Sequence, residues 1–399
     1  MNRAALFALF AAPVLIAGSI DGLWQGSITV EDSEVPFRFE LAGDGANVKG
    51  TFFNGDQRFT STSGNFADHQ LTLKWDYFAA TLTAKIDGDA LEGTYDRARS
   101  KPIAFHAHKG IAKIEAAKAP NIDGLWIIEG VNSHKGESAW NLIVKQKGAE
   151  ASAAILRVDG DTGTLTGAFD GSKFILSHFS GMRPARLEIA VAADGSLNLK
   201  QGKEEMTALR PAQVSAKGLA EPTDPSKHTS VKNAEEPFHF SFKDLNGKLV
   251  SDRDPRFKDK VVLVNISGSW CPNCHDEAPF LAETYRKYRA RGLEIVTLSF
   301  EEADQLANPT RLRAFIERYG IEYTVLLCGT TDEAKEKLAQ AQNWDAWPTT
   351  FFVGRNGLVR AVHAGFPSKA SGELYTRAKE EFTGEVERLL AENALSLRR

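Results

Sequence analysis

Val261-Val262-Leu263-Val264-Asn265-Ile266-Ser267-Gly268-Ser269-Trp270-Cys271-Pro272-Asn273-Cys274 joins a strongly apolar run to a Cys-x-x-Cys pair. Its first six residues are an apolar run broken only by Asn265, as a central strand buried on both faces requires. The run delivers Cys271 to the start of a helix expected over residues 273–291. At that mouth, unpaired amides and the helix dipole stabilise negative charge, so a Cys271 thiolate is favoured. Cys274 stands one turn deeper, placed to resolve a mixed disulfide begun by Cys271. Pro272 costs little there, because the amide hydrogen it lacks would be unpaired at a helix start.

Working outward, apolar periodicity predicts strands at 238–243, 293–299, 323–327, 349–353 and 358–363. It predicts helices at 310–319, 332–342 and 371–391. That alternation describes an α/β sandwich with a mixed sheet over residues 237–399. Only three cysteines occur in the 399 residues, and two form one tight C-x-x-C pair. A single close pair points to catalysis or metal binding, not to disulfide stapling of the fold.

Residues 237 to about 390 resemble the TlpA/ResA-like thioredoxin family. The resemblance rests on Trp270-Cys271-Pro272-Asn273-Cys274 after a buried strand, on Pro279 five residues past Cys274, and on Trp347-Pro348-Thr349-Thr350 before a strand. It implies a protein disulfide reductase in which Cys271 and Cys274 exchange a disulfide with a cysteine-bearing protein client. It also implies a cis bond before Pro348, whose loop presents backbone to the client, and electrons supplied by a membrane donor. Trp270, Trp347 and Thr349 are the expected groove residues. Glu277 matches an acid common in the group and is the candidate proton acceptor, because Asn265 stands where thioredoxin has its buried acid; a solvated first-turn glutamate is the other reading. Residues 238–260, with a turn at Asn246-Gly247, match the group's extra strands. No metal or cofactor is called for.

Other readings of the pair are weaker. Cys271-Pro-Asn-Cys274-His275 satisfies the c-type haem attachment pattern, but no methionine follows Met206 to serve as a further ligand. A Sco-like copper protein could recruit His363, yet that group spaces its cysteines by three residues. A peroxiredoxin would need a threonine three residues before a lone reactive cysteine. Cys328 reads as a small buried hydrophobe.

Toward the N-terminus, Ile20-Asp21-Gly22-Leu23-Trp24 recurs as Ile122-Asp123-Gly124-Leu125-Trp126, which predicts two duplicated antiparallel all-β modules, 20–115 and 122–213. Alternation such as Phe37, Phe39, Leu41 and turns such as Asn54-Gly55 and Asp87-Gly88 predict about eight short strands in each, in a barrel or sandwich. A ligand cavity and a side-chain-filled spacer are both open for such barrels. Residues 214–236, with Pro222 and Pro225, read as a semi-extended linker. A chain that uses its barrels to bind and carries the C-terminal domain as a passenger is the non-enzymatic alternative.

Residues 1–19 have a basic start at Arg3, an apolar run and the small residues Ala17, Gly18 and Ser19. This is the pattern of a secretory signal peptide, hence an exported, periplasmic protein, with an uncleaved anchor as the alternative. A net charge of −4 and the lack of a basic run exclude a nucleic-acid partner.

Overall fold

The computed structural model describes residues 20–30, 33–97, 101–111 and 118–392. The leader-like residues 1–19 lie outside them. Among the described residues no helix is long and apolar enough to cross a membrane.

The first module is a nine-stranded antiparallel sheet in which strands adjacent in sequence pair with one another. The ninth strand, Ile103–Lys109, returns to pair with the first, Gly22–Val30. The roll is interrupted only between Gln57–Thr60 and Ser63–Ala67, which are not hydrogen-bonded as neighbours. The second module runs from Gly124–Glu129 to Glu204–Leu209 and closes into an eight-stranded barrel, because Ala139–Lys147 pairs on one side with Gly124–Glu129 and on the other with Glu150–Arg157. A ninth, two-residue strand, Gly160–Asp161, hangs on the edge of Glu150–Arg157.

Each Ile-Asp-Gly-Leu-Trp run does the same work in its module. The Trp24 indole donates to Ile20 O at 3.0 Å and the Trp126 indole to Ile122 O at 2.8 Å. The Asp21 carboxylate accepts from Gly43 N and the Asp123 carboxylate from Gln146 N. The large ring is thereby buried with its N–H satisfied. The interior of the first module is packed with aromatic rings: Phe52 lies 4.9 Å from Trp75 and 5.0 Å from Phe39, centroid to centroid. Phe179 of the second module joins the same cluster, 5.1 Å from Phe52.

The stretch expected as an extended linker is partly helical. Pro211 and Pro225 each sit in the first turn of a short helix, Pro211–Lys217 and Pro225–His228, where a missing amide hydrogen is harmless. His228 then pairs with Asp345 at 2.6 Å.

In the C-terminal domain the sheet runs in the order Leu249–Ser251, Ser241–Asp244, Thr324–Thr330, Leu293–Glu301, Val261–Ser267, Thr349–Val353, Val359–Ala364. Val261–Ser267 is buried along its whole length and is parallel to Leu293–Glu301 and antiparallel to Thr349–Val353. Helices Pro272–Tyr288, Thr310–Tyr319 and Glu373–Ala391 flank it. The helix expected over 332–342 shrinks to Ala334–Lys337, because Ala341–Gln342 is drawn into a two-stranded ladder with Ser230–Val231. Helix propensity yields there to tertiary pairing.

Candidate functional site

The buried Val261–Ser267 strand ends at a short loop, Gly268 to Trp270, that carries the chain onto the Pro272–Tyr288 helix. A polar cluster fixes this loop. Ser269 N and Oγ both donate to the Glu301 carboxylate, at 2.8 and 2.7 Å. Glu301 is held in turn by Arg311 at 2.9 Å, and Arg311 Nε donates to Ser269 Oγ at 2.8 Å. Side chains of this pair are 0% and 4% exposed, so the charges are affordable only because each is matched and hydrogen-bonded. Trp270 donates its indole N–H to Phe300 O.

Cys271 is the N-cap of the helix, and its Sγ accepts the Cys274 amide at 3.3 Å. On the other side Sγ lies 3.7 Å from Trp347 O, in the loop whose Trp347–Pro348 bond is cis. The fold therefore brings Cys271, Cys274 and Pro348 together, although they lie 77 residues apart at the extremes. All three cysteines are free thiols and buried. Burial pushes the Cys274 thiol well above its ordinary range, with the neighbouring Cys271 sulfur adding to the rise. Cys328 is also pushed up by burial, and it packs in the hydrophobic core beside Leu326 and Phe300.

Glu277 is not a solvated first-turn glutamate. It is 2% exposed, and its carboxyl accepts from Asn265 Nδ2 at 2.7 Å and from Thr350 Oγ1 at 3.2 Å. Burial raises its pKa to about 8 against the opposing pull of those two hydrogen bonds. A cavity of about 10 Å³, lined among others by Asn265, Ser267, Cys274, Glu277 and Tyr323, joins the acid to the deeper thiol. That is about the space of one water, and the lining is polar enough to hold it. Asn265, standing where the resemblance places a buried acid, orients the Glu277 carboxyl through its amide N–H.

The tryptophans expected in the groove form one wall: Trp270 and Trp347 meet at 5.3 Å, and Trp344 meets Trp347 at 4.9 Å. Trp270 and Trp347 are partly exposed. Thr349 is fully buried and not part of that exposed wall; its hydroxyl donates to Ala346 O at 2.8 Å, fastening the turn that contains the cis bond.

His275 and His363 enter the sequence reading only through the haem and copper alternatives, and Asp276 carries no signal there. His275 is buried, with Nδ1 bonded to the Tyr319 hydroxyl and Nε2 to Ser269 O, and its ring meets Phe78 of the first module at 5.1 Å. Burial lowers its pKa to about 3, so it is a neutral anchor. With both ring nitrogens engaged, it is not placed as a haem ligand. Asp276 pairs with Arg183 of the second module at 2.8 Å; burial still raises its pKa to about 6, outweighing the arginine. His363 bonds to Gly365 O and packs 6.0 Å from Phe382. Among the described residues no cluster of three or more His, Cys, Asp or Glu side chains is arranged to hold a metal.

A parallel-cored sheet, a dithiol at a helix mouth and a cis-proline loop against the sulfur define the C-terminal region as a thioredoxin-like domain. Residues 234–362 match the AhpC/TSA family model, so this region carries a domain of that family. Over the same part, the chain is 29% identical across 152 residues to the thiol-disulfide oxidoreductase ResA of Bacillus cereus, covering 38% of this chain and 81% of that one. It is 28% identical across 136 residues to ResA of Bacillus subtilis, covering 34% and 69%. A solved thioredoxin-family thiol:disulfide interchange protein of Chlorobium tepidum aligns at 22% identity with a TM-score of 0.32, covering 41% of this chain and all of the other.

Proposed function

We propose that this protein is an exported thiol-disulfide oxidoreductase that reduces disulfides in protein clients. The observation that carries the reading is the placement of Cys271 Sγ between the Cys274 amide and Trp347 O of the cis-proline loop. In the first step the Cys271 thiolate attacks one client sulfur; the client S–S bond breaks, a mixed disulfide forms and a client thiolate leaves. In the second, Cys274, having lost its proton, attacks Cys271 Sγ. The mixed disulfide breaks, the second client thiolate leaves, and the enzyme holds a Cys271–Cys274 disulfide. Two electrons have passed to the client, and an external dithiol donor must return them. A membrane carrier is the donor that fits an exported enzyme.

Glu277, buried beside the deeper thiol, is the proton acceptor for Cys274, and its raised pKa matches the working range of a general base. Trp270 and Trp347 shape the client groove, while Thr349 supports it from behind. Export rests on residues 1–19. The two β modules read as copies of one unit, supported by their repeated pentapeptides, the matching Trp and Asp hydrogen bonds and the same neighbour-to-neighbour strand order.

The test is catalysis of protein disulfide reduction with a supplied reductant. Cys271→Ser should abolish turnover, and Cys274→Ser should accumulate a mixed disulfide between Cys271 and the client. Equal turnover in all three proteins would refute the reading.

A further inference from the structure

We propose that Val158-Asp159-Gly160 of the second barrel lies in the client groove as a tethered competitor, so that the barrel decides which clients reach Cys271. The proposal rests on the dithiol reading above. It begins from what surrounds the reactive sulfur. Trp347 O is 3.7 Å from Cys271 Sγ. Ala346 immediately precedes that residue; Gly365 N donates to Pro348 O at 2.6 Å, and Ala364 pairs with Thr349. Ala346, Pro348, Ala364 and Gly365 therefore form one continuous backbone surface beside the sulfur, with Asn273 of the Cys-x-x-Cys turn as its opposite bank.

The barrel segment crosses this surface and touches both banks. Val158 buries itself with Ala346 and Ala364 in a small apolar cluster of their own. The Asp159 carbonyl accepts from Asn273 Nδ2 at 2.7 Å and from Phe366 N at 3.4 Å. Gly160 lies so close that a Cβ there would be 2.6 Å from Asn273 Cγ and from Phe366 O. A side chain at Gly365 would run into the backbone of Val158 and Asp159. Val158 and Asp159 are the turn of the hairpin that pairs Arg157 with Gly160, and this tip covers the main-chain surface beside the sulfur with one main-chain hydrogen bond, one from the Asn273 side chain and one apolar side chain set in a niche. The segment Arg157-Val158-Asp159-Gly160 contains no cysteine, so it occupies the groove without reacting.

Two clamps hold it there. The Asp161 carboxylate accepts from Ser368 N, Ser368 Oγ and Ser371 Oγ at 2.7, 2.8 and 2.6 Å. Arg183 donates to Asn273 Oδ1 and Asp276 Oδ2, both at 2.8 Å. Cys271 is 3% exposed, and Trp270 and Trp347 keep partial exposure on the far side; movement of those two rings suffices to admit a small disulfide, whereas a protein client must displace the segment. A tethered competitor acts at an effective concentration on the order of millimolar and lowers client affinity by the fraction of time the groove is open.

The experiment uses the full chain and two disulfides, insulin and the small aromatic dithiobis(nitrobenzoate). Gly160→Val disrupts the crossing, and the Ser368→Ala/Ser371→Ala pair loosens the Asp161 clamp. Insulin reduction should rise about fivefold or more in both variants, while reduction of the aromatic disulfide stays within about twofold. An insulin rate that is unchanged, or that falls relative to the aromatic disulfide, overturns the proposal. Independently of any loosened variant, capture of insulin by Cys274→Ser, in which Cys271 attacks an intact insulin disulfide and one insulin thiolate leaves, should speed amide hydrogen exchange at 158–161 and 365–368; unchanged protection there also overturns it. An unmodified chain inert toward both disulfides refutes the dithiol reading, and this proposal with it.

Discussion

At the scale of single residues, Glu277 carries the most information, because its environment ties stability to pH. Its pKa stands at about 8 in the folded chain, against an ordinary value near 4.3 when unfolded. Between those values the native state holds one proton more than the unfolded state, so the contribution of this group to stability falls as pH rises through the window and is lowest above about 8. Glu277→Gln removes that slope. Urea unfolding of the variant and the parent should diverge in the variant's favour from pH 5 to pH 8, by on the order of 1 kcal/mol per pH unit in the steep part. Parallel curves would place Glu277 outside a desolvated site. In stopped-flow exchange the same variant should slow release of the client from the mixed disulfide and leave its formation unaltered, because only the second step requires Cys274 to lose a proton. The placing of Cys271 and Cys274 at a helix mouth was legible from their spacing and the buried strand before them, and that of Pro348 beside them only through the family resemblance. The burial of Glu277 was not, because a glutamate in a first helical turn looks the same in sequence whether water or a strand lies beneath it; here Asn265 and Thr350, on two adjacent strands, supply the hydrogen bonds that make burial tolerable.

At the scale of elements, the loop before Cys271 depends on a group supplied by another helix. Arg311 opens the Thr310–Tyr319 helix and reaches Ser269 and Glu301. Removing it leaves the Glu301 carboxylate buried without its counterion, and breaking one side of such a pair costs about 3–5 kcal/mol. Arg311→Ala should lower the urea midpoint accordingly, and the Arg311→Met/Glu301→Gln double variant should recover part of the loss. Full additivity of the two single losses would show that the pair does not act as a unit. The Thr310–Tyr319 helix and the Thr349–Val353 strand were readable to the residue, since the helix has an apolar period that stops at Gly320 and the strand is a short β-favouring run between Pro348 and Gly354. The segment 332–342 was misread because its alanines, lysines and glutamates favour helix locally, while its partner strand, Ser230–Val231, lies in a stretch with no strand pattern of its own.

At the scale of the whole molecule, both β modules bear on the thioredoxin-like domain. The loop after the Phe174–His178 strand places Phe179 and Met182 in the core of the first module, and the next residue, Arg183, on the active-site helix. Tyr95 of the first module fixes the same loop by donating to Gly181 O at 2.9 Å. The repeated pentapeptides and the turn dipeptides announced the modules, but the docking was invisible: Arg183 and Asp159 are isolated polar residues in loops, Asp161 belongs to a two-residue strand, and their partners lie 90 or more residues away. Arg183→Gln removes a charge-assisted pair to a nearly buried carboxylate and should destabilise the folded chain by about 1.5–3 kcal/mol, read as a lower urea midpoint at pH 7. The loss should shrink at pH 5, where Asp276, with a pKa of about 6, is largely protonated and no longer offers a full charge. A pH-independent loss would contradict the pairing.

Passage of two electrons from the Cys271/Cys274 pair to a client disulfide can be read in a single turnover. Fully reduced protein, freed of reductant and mixed with an equal amount of a one-disulfide client, is quenched with an alkylating agent and digested for mass spectrometry. Two alkylated thiols should appear on the client, together with a disulfide-linked peptide containing Cys271 and Cys274, and Cys328 should be alkylated to the same extent before and after. An intact client disulfide, or a linkage that recruits Cys328 in place of Cys274, would contradict it.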